Sequence, residues 1–429
     1  MQQLDTTSSE SETETYLDAS KNCDLEELIQ DRTQSNTKEM LSDLQRKTLT
    51  KQGYRLIGSH SAVKLCRWTK HQMRARGGCY KHTFYGIQSH RCMEFTCCLA
   101  CANKCVFCWR HQTNPVAKEW NFKIDDPAWI VTEAIKAQRS LVNIFKGSPG
   151  VAETNRLADA MNVAHCALSL VGEPILYPRI NELLEILHQH TISTFLVNNG
   201  QFPEQLTTIT PVTQLYLSID ACDPYTLKEL GRPMFSDYWE RLLTSIQNIN
   251  KSKSRSVFRL TIIKDKNEND AQGYAQFMQI GQPSFVELKG VTFTGVGCGI
   301  SMKNVPTHEE VIEFSKDLLI EYNCLRQNNL DLDEYDIVAE SMHSCCVLIA
   351  NKKFCVNGVW HTWIDYPKFF ELKRSKAEFT ETAYSLPTPS WALYNSKERG
   401  FDPNDTRVYT KKRLDVMRKQ ACNADCTCT

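Results

Sequence analysis

The chain reads as an α/β protein built on a parallel sheet, and three observations predict it. Short apolar runs recur along its middle, at 166–171, 194–198, 214–220, 257–263, 285–294 and 346–350. Longer amphipathic segments lie between them, at 129–145, 179–190, 238–250, 271–279 and 308–322. Strands alternating with helices at this rhythm are βαβ units, whose parallel strands are covered by the intervening helices. A length of 429 residues is enough to bury a large core in one large or two medium domains. Periodicity alone admits a closed or partly closed (βα) barrel and an open doubly wound sheet.

Taken in order, residues 1–40 are rich in Ser, Thr, Glu and Gln, bury little, and are expected to be a disordered acidic start. A short helical pattern at 41–57 leads into a cysteine-rich amino-terminal extension that runs to residue 100. Residues 101–360 hold the strand–helix rhythm and form the expected barrel. Aromatic, Pro-rich and charged residues at 361–410 read as an extension packed over it. Residues 411–429 are a basic tail with Cys422, Cys426 and Cys428, read as loose thiols.

Formal charge is zero but uneven: residues 1–40 carry −7 and the remainder +7. A mildly basic body admits a nucleic-acid partner without demanding one. Nineteen cysteines would suit a disulfide scaffold only in a short secreted chain. No apolar leader opens the sequence, no apolar run is long enough to span a bilayer, and the acidic start is unlike a transit peptide. Reduced, metal-bound thiols in a cytoplasmic protein without a membrane partner are expected.

The most informative stretch is Cys101-Ala-Asn-Lys-Cys105-Val-Phe-Cys108, a C-x3-C-x2-C spacing. Three thiolates on so tight a loop hold three irons of a cubic 4Fe–4S cluster. Leaving out the fourth thiolate keeps one iron open to a ligand, as in a catalytic rather than a structural metal site. Zinc sites usually pair C-x2-C units and need a fourth ligand, so the spacing argues against them. Just upstream, Cys66, Cys79 and Cys92 are separated by twelve residues each time. Beside a cluster loop they become a candidate second three-thiolate site.

Functional groups in parallel α/β folds gather at the carboxyl ends of strands. Gly172-Glu173-Pro174 follows one strand, its glycine allowing close backbone approach and its carboxylate able to accept from an ammonium group; an ordinary βα turn is the plainer reading. Asn199, in Asn198-Asn199-Gly200, has turn chemistry as its default. Ser218 and Asp220 share one face of a strand end, where they could meet a ribose or only water. Glu287 and Lys289 share a face of an apolar strand, and a lysine there is costly unless it is paired or functional. Lys81 lies two residues past Cys79. Such a lysine is ordinarily a surface residue, but a cation-rich, partly dry site would lower its pKa and make it a nucleophile towards a carbonyl. Phe107 could stack on an adenine or shield the cluster loop.

The stretch 61–116, with Gly-Cys79-Tyr-Lys81-His and the Cys101/Cys105/Cys108 loop, closely resembles the S-adenosyl-L-methionine-dependent tRNA 4-demethylwyosine synthases, which are radical SAM enzymes. The likeness continues through Leu170-Val-Gly172-Glu173-Pro174, Gln214-Leu-Tyr-Leu-Ser218-Ile-Asp220, Arg259-Leu-Thr-Ile-Ile-Lys264 and Glu287-Leu-Lys289-Gly. It extends to Trp391-Ala-Leu-Tyr and Glu398-Arg-Gly-Phe-Asp402-Pro, covering roughly residues 50–407. The resemblance implies a partial (βα) TIM-type barrel with amino- and carboxyl-terminal extensions. It implies that 1-methylguanosine beside the anticodon of phenylalanine tRNA is condensed with pyruvate into a tricyclic base. Cys101, Cys105 and Cys108 would hold the cluster that binds S-adenosyl-L-methionine, with Phe107, Gly172, Glu173, Asn199, Ser218 and Asp220 around that cofactor. Cys66, Cys79 and Cys92 would hold a second 4Fe–4S cluster, Lys81 would form a Schiff base with pyruvate, and Lys289 would be a second lysine nearby. Arg74, Arg76 and Lys104 are expected to meet tRNA phosphates.

Three departures from the family pattern stand out. Many eukaryotic members carry a flavodoxin-like domain for which there is no room before residue 50, so an external donor such as flavodoxin or a flavin reductase, and a monomer, are expected. Cys97 and Cys98 are extra adjacent thiols that invite alternative ligation. Ser341 replaces the first of two histidines that flank one residue near His343. The competing readings are another radical SAM RNA-modifying enzyme, such as a methylthiotransferase, and a non-catalytic metal-binding RNA-associated protein.

Overall fold

Ser42 forms a capping box: its hydroxyl accepts from the Gln45 N–H while the Gln45 side chain accepts from the Ser42 N–H. That cap starts α1 (Asp43–Lys51). The computed structural model describes residues 38–108, 114–151, 155–249, 251, 253–295, 299–376 and 378–407. Residues 1–37 of the acidic start and all of the 411–429 tail lie outside the described residues.

The cysteine-rich leader folds as β1 (Arg55–Ile57), β2 (Ser61–Lys64), α2 (Arg67–Gln72), α3 (Tyr80–Tyr85) and β3 (Cys92–Thr96). The helix–strand alternation follows, with α4 (Pro127–Asn143), α5 (Arg156–Ala160), β4 (His165–Leu168), α6 (Ile180–Gln189), β5 (Ser193–Asn198), α7 (Pro203–Thr208), β6 (Gln214–Ser218), α8 (Pro224–Gly231), α9 (Tyr238–Ile249), β7 (Arg255–Ile262), α10 (Ala271–Gly281), β8 (Phe285–Gly290) and α11 (His308–Gln327). A hairpin of β9 (Tyr335–Ser341) and β10 (Cys346–Asn351) closes the large sheet. Two small hairpins and a helix make the carboxyl-terminal extension: β11 (Cys355–Val356), β12 (Val359–Trp360), β13 (Trp363–Ile364), α12 (Tyr366–Ser375) and β14 (Ser385–Leu386).

Ten strands form one sheet in the order β1-β2-β3-β4-β5-β6-β7-β8-β10-β9. Strands β3 to β8 are parallel, with antiparallel neighbours at each end. The order never reverses, so there is no switch point of a doubly wound sheet, and successive crossovers put their helices on one face. The other face is the inside of a partial (βα) barrel. Along β7, Phe258, Leu260 and Ile262 pack in the core beneath the helices. Val257 packs instead with Phe285, Tyr216 and Leu348 in a second, inner cluster.

The inner cluster also contains Phe369 and Tyr384 of the extension and Tyr80, Phe84 and Tyr85 of α3, which together plug the barrel. Arg255 is fully buried there and donates to the carbonyls of Thr362 at 2.6 Å and Trp363 at 3.3 Å, joining barrel to extension. A final strap, 391–405, recrosses the barrel. Tyr394 N–H donates to Val338 O, Asp402 accepts from His82 at 2.8 Å, and Asp405 pairs with Arg156. Gly400 (φ +77°) passes so close to β9 that a Cβ there would lie 1.7 Å from Glu340 O.

Several expected elements differ. The single helical pattern at 41–57 is α1 followed by β1, because Gly53 (φ +87°) turns the chain between them. The runs at 166–171, 214–220 and 285–294 leave the sheet at Leu168, Ser218 and Gly290. Their remaining apolar residues, Leu170, Val171, Ile219 and Val291, are buried beyond the strands, where Leu170, Ile219 and Val291 each keep one backbone hydrogen bond to the neighbouring strand. The 346–350 run is an antiparallel strand of a hairpin, not the end of a βαβ unit.

Candidate active site

The cysteine loops meet at a cavity on the inner side of the barrel, lined also by Ser218, Asp220 and Lys289 from the carboxyl ends of β6 and β8. Cys66 and Cys79 occupy the N-cap positions of α2 and α3, and Cys92 is the first residue of β3. All three line a cavity of about 600 Å³, together with Cys105 and Cys108. Cys101 sits just behind, where its sulfur accepts from Asn199 Nδ2 at 3.5 Å and from the Asn103 N–H at 3.4 Å. The loop around Cys105 is pinned by backbone hydrogen bonds from Lys104 to Gly231 and from Val106 to Leu230, at the end of α8.

Burial pushes the Cys66 and Cys92 thiols well up, and Glu94 and Cys79 add to it. Such a set ionises together only around a cation, which is what bound iron supplies. Two buried acceptor atoms in this region lack a partner among the described residues, Glu173 Oε1 and Asp220 Oδ1. A donor set of two thiol triplets with spare buried acceptors fits iron–sulfur clusters and a polar nucleoside ligand.

Both candidate lysines reach this cavity. Lys81 donates to Tyr80 Oη at 2.8 Å and lies over the rings of Tyr80 (4.7 Å) and Tyr216 (5.1 Å). Tyr80 Oη also accepts from Arg259 at 2.5 Å; Arg259 pairs with Glu287 at 3.1 Å, and Glu287 accepts from Tyr85 at 2.8 Å. Burial pulls the Lys81 amine down, but Tyr80 and Glu287 outweigh it and hold it above its ordinary value. The lowered lysine is the other one. Burial, then Arg259, bring Lys289 down to about 8, and its partners are the neutral Gly290 carbonyl (3.1 Å) and Thr292 hydroxyl (3.2 Å). Strand register explains the division. Ser218, Arg259 and Glu287 form one row across β6, β7 and β8, while Thr261, Lys289 and Cys346 form the next. Glu287 is therefore taken by Arg259, one row below Lys289.

Ser218 and Asp220 both line the cavity, as does Phe107. Burial pushes the Asp220 carboxyl up to about 6, against hydrogen bonding from Thr261 and the charge of Arg259. Gly172, Glu173 and Asn199 do not line it; they form the wall behind Cys101. Gly172 (φ +74°) abuts protein rather than ligand, since a Cβ there would lie 1.9 Å from Cys98 O. Glu173 N–H donates to Ala100 O at 2.8 Å, its carboxylate accepts from the Asn199 N–H at 3.2 Å, and burial holds its carboxyl well above the usual range.

Tyr80, Glu94, Tyr216 and Arg259 also line the cavity, and none of them has a role in the reading from sequence. Arg259 carried the same signal as Lys289, a charge inside an apolar strand. Glu94 and Tyr80 are each close to a cavity cysteine but sit in a stretch with no periodicity. Cys97 and Cys98 are fully buried, their sulfurs against the carbonyls of Pro174 and Ala100, and neither lines the cavity. His343 is held by the Gly78 carbonyl at 3.0 Å and packs edge-on to Trp68, while Ser341 ends β9. Arg74 and Arg76 lie on the turn after α2 and Lys104 is exposed between Cys101 and Cys105; none of the three lines the cavity.

A parallel partial barrel with C-x3-C-x2-C at its mouth defines a radical SAM protein, and residues 97–278 match the radical SAM superfamily. Residues 280–351 match the family described as wyosine base formation. The S-adenosyl-L-methionine-dependent tRNA 4-demethylwyosine synthase of Oryza sativa subsp. japonica is 51% identical over 383 residues, covering 89% of this chain and 57% of that protein. The Homo sapiens protein of the same name is 50% identical over 387 residues, covering 88% and 51%. Among solved structures, TYW1 with a lysine-pyruvate adduct bound superposes with a TM-score of 0.64 at 28% identity, covering 75% of this chain and 99% of that one. An archaeal TYW1 gives 0.58 at 27% identity, covering 74% and 99%. Over most of its length the chain is similar to the S-adenosyl-L-methionine-dependent tRNA 4-demethylwyosine synthases. It spans about half the length of the curated relatives it matches. Radical SAM proteins as a superfamily use S-adenosylmethionine and a 4Fe–4S cluster, and no helix among the described residues is long and apolar enough to cross a membrane.

Proposed function

We propose that this chain is a tRNA 4-demethylwyosine synthase, condensing pyruvate with 1-methylguanosine beside the anticodon of phenylalanine tRNA. The observation that carries the reading is one cavity lined by Cys66, Cys79, Cys92, Cys105 and Cys108, with Cys101 just behind, and by two lysines. Cys101, Cys105 and Cys108 would hold the cluster that binds S-adenosyl-L-methionine, and Cys66, Cys79 and Cys92 a second 4Fe–4S cluster. Reduced by a donor such as flavodoxin or a flavin reductase, the cofactor pair supplies the means to take a hydrogen atom from an N-methyl group.

The protein's own groups arrange the rest. Ser218 and Asp220 face the cavity at ribose-binding positions, and Phe107 covers one side. Behind Cys101, Gly172, Glu173 and Asn199 support the cofactor loop, and Glu173 Oε1 is the acceptor available to an ammonium group. Arg259, whose Nε lacks a partner among the described residues, is placed to hold the carboxylate of pyruvate. A cavity lysine would capture the keto carbon as an imine with loss of water, and the exocyclic amine of guanine would later attack that carbon and displace the lysine amine by transimination. Lys81 is the candidate by its place between Cys79 and Cys92. Lys289 is the second, favoured by its lowered amine and neutral partners.

The test is anaerobic assembly with iron and sulfide, followed by incubation with reductant, S-adenosylmethionine, pyruvate and tRNA bearing 1-methylguanosine. Wild type should give the tricyclic base by mass. Alanine at Cys66, Cys79 and Cys92 together should lose about half the iron, still cleave S-adenosylmethionine, and make no tricyclic base. Unchanged iron in that variant would sink the second cluster, and a methylthiolated product would favour the methylthiotransferase reading.

A further inference from the structure

Resting on that reading, we infer that the outer face of α2 and the turn after it form the docking surface for an RNA loop, with Trp68 stacking on a base and Lys70, Arg74 and Arg76 meeting phosphates. The face begins at the site itself, because α2 follows Cys66 directly and both Arg67 and Trp68 line the cavity. Trp68 is only partly covered, yet its indole makes steeply inclined ring contacts with His343 at 5.2 Å and His71 at 5.5 Å. His343 is itself fixed by the Gly78 carbonyl and the ring of Phe401. The Arg67 guanidinium lies 4.9 Å from the indole centroid. An indole with a guanidinium over one face keeps its other face for an unpaired base, a stack that the cation reinforces.

Beyond Trp68 the surface is positive and uncompensated. Lys70 and Arg74 both lie over the ring of Phe145 at 5.5 Å, and Arg74 Nε donates to Pro149 O. These contacts fix direction without neutralising charge. Among the described residues, Arg67, Lys70, Arg74 and Arg76 form no ion pair with a carboxylate. Phosphates on a loop whose target base enters the cavity would complete the charge balance, and each contact would release counterions. Lys104, across the mouth, is not part of this face.

The experiment is equilibrium binding of phenylalanine tRNA to the anaerobically assembled full chain across a salt series, with thermal melting as the control for folding. Arg74→Gln and Arg76→Gln should each weaken binding and lower the steepness of its salt dependence by about one counterion. Trp68→Ala should weaken binding by about tenfold or more with the salt dependence unchanged, and Trp68→Phe should retain most of the affinity. Wild-type affinity and steepness in an Arg74→Gln/Arg76→Gln double variant that melts normally would overturn the surface. So would equal weakening by Trp68→Ala for an unrelated, fully paired RNA hairpin. Failure of wild type to bind tRNA at all would instead overturn the functional reading on which the surface depends.

Discussion

Among single residues, the two cavity lysines differ in what surrounds their amines. Lys81 meets a phenol already receiving Arg259, with Glu287 beyond it, whereas Lys289 meets only a carbonyl and a hydroxyl. With its amine near 8, Lys289 holds an appreciable free-base fraction at neutral pH. Reductive trapping of labelled pyruvate on Lys289 should therefore rise about tenfold per pH unit below about 8 and level off above it. A trapping rate still climbing at pH 10, with label on the Lys81 peptide, would place the imine on Lys81. Stability follows with a definite sign. A folded-state lysine pKa below the unfolded value means the unfolded chain binds more protons between the two, so stability rises with pH from about 8 towards 10.5. Lys289→Met should flatten that rise while abolishing any adduct at this position.

The elements show how the leader and the far end of the chain depend on each other. Helix α3 presents Cys79 and Lys81, and three contacts with the strap hold it: His82 with Asp402, the Thr83 hydroxyl with Gly400 O at 2.8 Å, and His82 stacked with Trp391. Gly400→Ala would force a Cβ into the Glu340 carbonyl at a positive φ, and should cost more than about 2 kcal/mol in urea unfolding. A loss under about 0.5 kcal/mol would mean the strap shifts freely. Burial pulls the Asp402 carboxyl up, but hydrogen bonds from His82 and Asn404 and the charge of His82 together outweigh it, and the net direction is down. A depressed carboxyl contributes stability above its unfolded value and loses it as pH falls through the folded value. Melting temperature should thus drop on acidification below about pH 4, and Asp402→Asn should be lower at pH 7 and less sensitive to acid. Identical acid profiles for the two proteins would remove this role.

For the molecule as a whole, the sequence declares the parts that repeat and conceals the parts that do not. Strands β4 to β8 and helices α4, α6, α9, α10 and α11 were legible because a two-sided sheet and a one-sided helix impose different apolar periods. Their carboxyl ends were overrun because Leu170, Ile219 and Val291 stay buried after the ladder stops. The Cys101 loop was readable from spacing alone, and the wider site from likeness to a family. The hairpin of β1 and β2 and the short helices α2 and α3 had no period to read, and the Arg259–Glu287 pairing depends on register between strands that no local pattern records. The strap has one more consequence, which belongs to biosynthesis. His82 and Asp402 are 320 residues apart, so α3 gains its anchor only when the strap has left the ribosome. At about 5–20 residues per second, the Cys101 set and its neighbouring strands exist for tens of seconds before that. Nascent chains are thus expected to offer the two thiol triplets to the iron-delivery machinery one after the other, the Cys101 triplet first.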